Sequence, residues 1–221
     1  MSPFGKTILN LMSPDDRAAF VIAERKWRET VAKERRALRG LEGNDFVSAA
    51  ISHLLRFSSE KRAAEMLSLT RGKPPEIFWK IFLEVWSVCD CTWKVREPLL
   101  HQLKSASAQI CATSYFNDAD RTFFESLPTD ITVFRGCSTE RINGLSWTTD
   151  AAVARGFAYG HRGILVPEPV LVTAKVEKKN IFAVITDRAE NEVLCDPQIL
   201  RIDEMSNGTK FCASSSNKPL C

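Results

Sequence analysis

The hydrophobic period of this chain changes once, near Pro128, and that change limits the architectures open to it. Before that point apolar residues recur three and four apart; after it, short β-branched and aromatic runs alternate with turns. The strongest periodic stretch is Phe78, Ile81, Phe82, Val85, Trp86 and Cys89, a spacing that puts one broad apolar face on a helix. Helices collected ahead of a run of strands predict an α+β fold. Its parts are a helical region over residues 1–127, a β core over 128–205 and a tail over 206–221, rich in Ser, Asn and Lys and expected to be mobile.

Ser13-Pro14-Asp15-Asp16 has the pattern of a helix start: a hydroxyl N-cap, proline in the first turn and carboxylates facing the positive helix end. This helix should run to about Leu38 and stop at Gly40. Its second half is crowded with charge, with Glu24/Arg28 and Glu29/Lys33 spaced as favourable i,i+4 pairs, so a solvated face is expected in preference to a docking surface for an acidic partner. A second helix is expected from Phe46 to about Phe57, capped by Asn44 or Asp45, and a third from Lys61 to Thr70, capped within Ser58-Ser59-Glu60. Arg71-Gly72-Lys73-Pro74-Pro75 breaks the chain before the Phe78–Cys89 stripe. Further helices are expected from Leu99 to about Ala112 and, capped by Asp118 or Asp120, through Phe124.

Ile131 to Phe134, Gly144 to Thr148, Val170 to Val176, Ile181 to Ile185 and Glu192 to Cys195 have strand composition, and Gln198 to Ile202 is a further candidate. Thr149 or Asp150 should cap a helix over Ala151 to Ala158. Gly160-His161-Arg162-Gly163 is a polar loop.

Charge and cysteine usage exclude several functions. Residues 1–127 carry 19 basic and 16 acidic side chains, and residues 128–205 carry 9 and 11, so the β core lacks the concentrated basic face of a nucleic-acid surface. No apolar run approaches the ~20 residues that cross a bilayer, and Met1 to Asn10 is too short and polar for a secretion signal. Seven scattered cysteines make no disulfide framework and are expected as reduced thiols in a cytoplasm. Cys89 and Cys91 lie one residue apart, closer than zinc ligand pairs, and no second pair follows; no metal site is expected. Cys137 and Cys195 read as small buried side chains, and His53, His101 and His161 show no ligand spacing.

Three polar outposts interrupt the β region. Arg135 and Gly136 end an apolar strand, Ser146-Trp147-Thr148 is a hydroxyl-bearing strand, and Arg188-Ala189-Glu190-Asn191-Glu192 leads into Val193-Leu194. Ser146 and Thr148 are two apart and share a strand face, with Trp147 turned to the core; on extended backbone Glu190 and Glu192 would share one as well. Paired carboxylates suit cleavage of a glycosidic bond, where positive charge develops at the anomeric carbon. An arginine can hold a phosphate or diphosphate bidentately. A substrate with both features is NAD⁺.

In order and composition, Arg135, Ser146-Trp147-Thr148 and Glu190-Asn191-Glu192 resemble the Arg-Ser-Glu class of mono-ADP-ribosyltransferases, which includes many bacterial and phage enzymes; the likeness covers roughly residues 128–203. It implies a small split β-sheet core that binds NAD⁺ as substrate. It implies that Arg135 contacts the NAD⁺ phosphate, Gly136 the nicotinamide amide, and that Ser146 orients Glu192 while Thr148 supports the strand. Glu192 would hold the nicotinamide ribose and stabilise the oxocarbenium ion, Glu190 would position or deprotonate the acceptor, and the Glu-x-Glu form favours a protein arginine as that acceptor. Phe157 or Tyr159, with Tyr159 favoured, would stack on the nicotinamide, and His161 and Arg162 could meet the phosphates or simply lie in solvent. Two other functions stay open: an NAD⁺ glycohydrolase, with water as acceptor, and a catalytically silent binding protein acting through its helices. An effector or phage enzyme working in the cytoplasm of its own, a host or a target cell fits the absence of an export pattern. The N-terminal helices could recognise a target, shield the site or complete the core.

Overall fold

The structure, a computed structural model, describes residues 12–160, 166–187 and 190–205. His161, Arg162, Gly163, Arg188, Ala189 and the 206–221 tail lie outside the described residues. The fold is α+β: seven α-helices, six of them ahead of the sheet, and six antiparallel strands among the described residues.

Helix α1 (Pro14–Leu38) begins as its sequence requires. Ser13 Oγ accepts from the Asp16 amide at 3.2 Å, and Pro14 occupies the first turn, where no amide is needed. Only Leu38 is buried along its length, while Glu24 and Arg28 form the expected surface pair at 2.6 Å. Helix α2 (Gly43–Leu54) starts earlier than expected, and neither Asn44 nor Asp45 caps it. Glu42 holds the cap position without a side-chain bond, while Asn44 Oδ1 accepts from Lys80 Nζ on another helix at 2.8 Å. Helix α3 (Ser59–Thr70) follows Ser58. Helix α4 (Pro75–Val85) buries Ile77, Phe78, Trp79, Ile81, Phe82 and Val85, so the Phe78–Cys89 stripe is helical only to Val85 and then tightens into a 3₁₀ turn, Trp86–Val88. Helix α5 (Arg96–Gln109) takes Pro98 into its first turn instead of starting after it. Helix α6 (Asp118–Ser126) is capped by Asn117, which accepts from the Asp120 amide at 2.8 Å. Asp120 is not the cap: it is buried and accepts from Thr186 N and Oγ1, both at 2.8 Å, which ties α6 to the end of β4.

The strands are β1 (Asp130–Ser138), β2 (Ser146–Thr148), β3 (Pro169–Glu177), β4 (Ile181–Ile185), β5 (Glu192–Cys195) and β6 (Gln198–Glu204), in the order β4-β5-β2-β1-β3-β6. β1 and β3 pair over nine residues each. By contrast β1 and β2 share one registered pair, Phe134↔Thr148. The sheet is continuous, but it nearly parts there into β4-β5-β2 and β1-β3-β6. Helix α7 (Ala151–Ala158), capped by Asp150 Oδ1 on the Ala152 amide at 2.7 Å, lies against β1.

One hydrophobic core runs from Leu38 through α4 to Cys195, so helices and sheet share an interior. Rings of Phe78, Phe82 and Trp86 follow one another with centroids 5.3 and 5.0 Å apart. Arg62, itself buried, donates to the carbonyls of Leu54, Phe57 and Val88, and so fixes the Trp86–Val88 turn against α2 and α3. At the outer end, Glu65 meets Arg35 of α1 and His53 of α2. Burial alone would raise the pKa of Glu65, but hydrogen bonds from Arg35 and His53 and their charges hold it below its usual value.

Two outcomes test this frame. A carboxylate with a lowered folded pKa adds stability that is full above its unfolded value and is lost as pH falls through the folded one. The urea midpoint of Glu65→Gln should therefore lie below wild type at pH 7, and the gap should close well below about pH 4.3. In the second, Gly136→Ala should destabilise by about 3 kcal/mol, the upper end of overpacking costs. A Cβ there would stand 1.7 Å from the Ala154 carbonyl oxygen, which is backbone and cannot step aside. A thermal midpoint equal to wild type would contradict that packing.

Candidate active site

The cleft opens where the sheet nearly parts. Its walls include Arg135, Gly136, Ser146, Thr148, Phe157, Glu190 and Glu192, and it encloses about 300 Å³. Residues read from three separate stretches of sequence therefore meet in one place.

Glu192 starts β5, registered between Thr148 of β2 and Ile185 of β4, and is 8% exposed. A buried carboxylate needs donors. Trp86 supplies one: its indole Nε1 donates to Glu192 Oε1 at 2.8 Å. The aromatic stripe of α4 thus ends on the most buried acid of the cleft. Sequence reading placed Trp86 on an apolar helical face and missed this contact. The available signal was a tryptophan, with its one indole N–H, on an otherwise nearly donor-free stripe.

Ser146 and Thr148 reach the cleft from β2, while Trp147 is buried and donates to the Gly144 carbonyl at 2.8 Å. Thr148 Oγ1 donates to the Glu190 carbonyl at 2.7 Å and accepts from the Asp150 amide at 3.0 Å, joining the Glu190 backbone to the start of α7. Glu190 and Glu192 share the cleft for a reason other than strand alternation. Asn191 between them has φ of 45°, a left-handed conformation that asparagine tolerates better than most residues, so the extended backbone is broken between Glu190 and Glu192.

Arg135 projects from β1 over Gly144, where any Cβ would strike its guanidinium at 2.2 Å. Its Nε donates to the Arg141 carbonyl at 3.1 Å and its Nη1 to the Ser146 carbonyl at 2.5 Å. Burial pushes its pKa below the usual arginine value and the Arg141 charge adds to that, while the Cys137 thiol and the Glu192 charge oppose it. An arginine stays protonated under such a shift, so the cleft holds a fixed cation near a buried anion.

Of the two aromatic candidates, Phe157 lies in the wall and is half-buried; Tyr159, two positions further on, is 51% exposed and is not among the lining residues. Side chains two apart on a helix do not share a face. The far wall comes from the segment between α4 and α5, with Trp86, Ser87, Cys89, Asp90, Cys91, Thr92 and Trp93. Burial pushes the Cys89 thiol up to about 12 and raises Cys137 as well, so both are neutral thiols and neither is an activated nucleophile. Among the described residues no three His, Cys, Asp or Glu side chains could hold a metal ion, and no helix is long and apolar enough to cross a membrane.

The chain matches none of the family models, curated proteins or solved structures with which it was compared.

Proposed function

We propose that the chain is an NAD⁺-dependent mono-ADP-ribosyltransferase that moves ADP-ribose onto a protein arginine and releases nicotinamide. The observation that supports this most is the convergence of Arg135, Ser146, Thr148, Glu190 and Glu192 on one cleft, with the Glu192 carboxylate buried and held by Trp86.

In this reading the bond from the nicotinamide nitrogen to the ribose anomeric carbon breaks, and the electron pair leaves with nicotinamide. Glu192 stabilises the oxocarbenium ion left on the ribose, an electrostatic role strengthened in a buried cleft by low dielectric. Trp86 fixes one Glu192 oxygen, so little reorganisation is needed as charge develops. Glu190, half-buried in the cleft wall, receives the proton of the acceptor guanidinium, whose nitrogen forms the new bond to the anomeric carbon. Gly136 and Phe157 face the nicotinamide side, Ser146 orients the Glu192 edge of the cleft, and Thr148 holds the Glu190 backbone. The ADP-ribosyltransferase class of core belongs to the same proposal, as does action in the cytoplasm of the protein's own, a host or a target cell, where NAD⁺ and protein acceptors occur together.

Glu192→Gln should lower both nicotinamide release and label transfer from NAD⁺ by at least about a hundredfold. Equal rates in wild type and variant would remove the reading. Glu190→Gln should lose transfer to arginine yet keep nicotinamide release; retention of transfer would reassign the acceptor role, and release without transfer in wild type itself would make the protein a glycohydrolase. Trp86→Phe keeps the stacked ring and removes the N–H. It should lower kcat about tenfold to a hundredfold, because a hydrogen bond to a charged group contributes about 1.5–3 kcal/mol, and leave KM for NAD⁺ near wild type. In a Glu192→Ala background the same change should cost nothing more, a non-additivity that a general loss of folding would not produce.

A further inference from the structure

Two guanidinium groups share this cleft, and neither is in an ion pair among the described residues. Arg135 is already committed, with Nε and Nη1 donating to the backbone carbonyls of Arg141 and Ser146. It works as a clamp across the thin β1–β2 junction, with two of its five N–H groups held on backbone carbonyls. Arg141 is different. It ends the 3₁₀ turn after β1, lies 4.9 Å from the centroid of the Trp93 ring, and its buried Nε has no hydrogen-bond partner. Beside it Ser138, 3% exposed, also has a buried Oγ without a partner. Arg141, Ser138 and Trp93 all line the cleft.

Buried polar groups in folded proteins are nearly always bonded, so two orphans in one cleft mark a place where a ligand supplies the missing acceptor. The acceptor must be anionic: two cations face it, and each disfavours the other's charge, as the effect of Arg141 on Arg135 shows. Arginine over a tryptophan face keeps its in-plane N–H edge free for oxygen ligands, while the ring holds its orientation.

We infer that Arg141 and Ser138 are the principal contacts for a diphosphate, with Trp93 bracing Arg141 and Arg135 acting chiefly as the structural clamp. In the function proposed above, on which the identity of the ligand rests, this diphosphate is that of NAD⁺. It places the adenosine diphosphate half of the dinucleotide toward the Thr139–Arg141 turn and the Trp93 wall, and leaves the other end to Gly136, Phe157 and Glu192.

Calorimetry on the full chain with ADP, inorganic pyrophosphate and adenosine tests this without requiring turnover. ADP and pyrophosphate should bind and adenosine should bind at least tenfold more weakly. Arg141→Gln should weaken ADP at least tenfold with an unchanged thermal midpoint, Arg141→Lys should recover part of the loss, and Trp93→Ala should weaken ADP while Trp93→Phe does not. In turnover, Arg141→Gln should raise KM for NAD⁺ with kcat within about twofold, the opposite split from Trp86→Phe. ADP binding equal in wild type and Arg141→Gln overturns the assignment, and so does a wild type that binds no ADP. Arg141-dependent ADP binding by a protein that does not cleave NAD⁺ leaves the subsite standing and removes the proposed reaction. Normal turnover with unchanged KM in Arg141→Gln does the reverse.

Discussion

The hydrogen bond from Trp86 Nε1 to Glu192 joins the two halves of this protein at the point where a charge is buried. Taking a carboxylate out of water is costly unless donors replace the lost hydration. β5 alone cannot provide them, because its backbone is engaged with β2 and β4. The indole donor comes from outside the sheet, and its position depends on a chain of earlier events. The α4 stripe must be buried, the helix must tighten after Val85, and Arg62 must bind the Val88 carbonyl to hold that turn. The helical region is therefore part of the cleft, and the shared core running from Leu38 to Cys195 is how it is held there.

Periodicity made most elements legible. The α1 start at Ser13-Pro14, helix α7 with its Asp150 cap, and the strand sites over the β region follow from local patterns that tertiary structure did not override. Where reading and structure differ, a long-range partner has taken a residue away from its local role. Asn44 was a plausible cap but bonds Lys80, and Asp120 was a plausible cap but receives Thr186. Asx side chains compete for backbone donors locally, and nothing in a linear pattern shows which distant donor will outbid the near one. The site followed the same logic. Arg135, Ser146, Thr148, Glu190 and Glu192 are visible as polar interruptions of strands, whereas Trp86 sits on an apolar helical stripe and Trp93 and Arg141 fall between the expected elements, where no periodic pattern marks them.

The geometry of the cleft also depends on a weakness in the sheet. β1 and β2 are joined by one registered pair, so the Ser146 carbonyl is not taken up by a β1 amide and can accept from the Arg135 side chain instead. A fully zipped β1–β2 ladder would close this gap and consume the carbonyl. Gly144 permits the crossing, since a side chain there would displace the guanidinium. On the other side Gly136 lets α7 approach β1 closely enough to bring Phe157 to the wall. Two glycines and a short strand thus open the space that the polar residues line.

Within that space the charges are arranged unequally. Glu192 is buried and held by an indole, Glu190 is half-exposed, Arg135 is tied to backbone, and Arg141 rests on a tryptophan with an unmet donor. A rigid acid and a rigid cation that already have partners define geometry; a donor without one defines where a ligand must bring something. The distinction separates residues that shape the cleft from residues that select its occupant, and it assigns opposite kinetic effects to tryptophans on the same wall. Loss of the Trp86 N–H acts on the developing positive charge and hence on kcat. Loss of the Trp93 ring acts through Arg141 on ground-state binding and hence on KM.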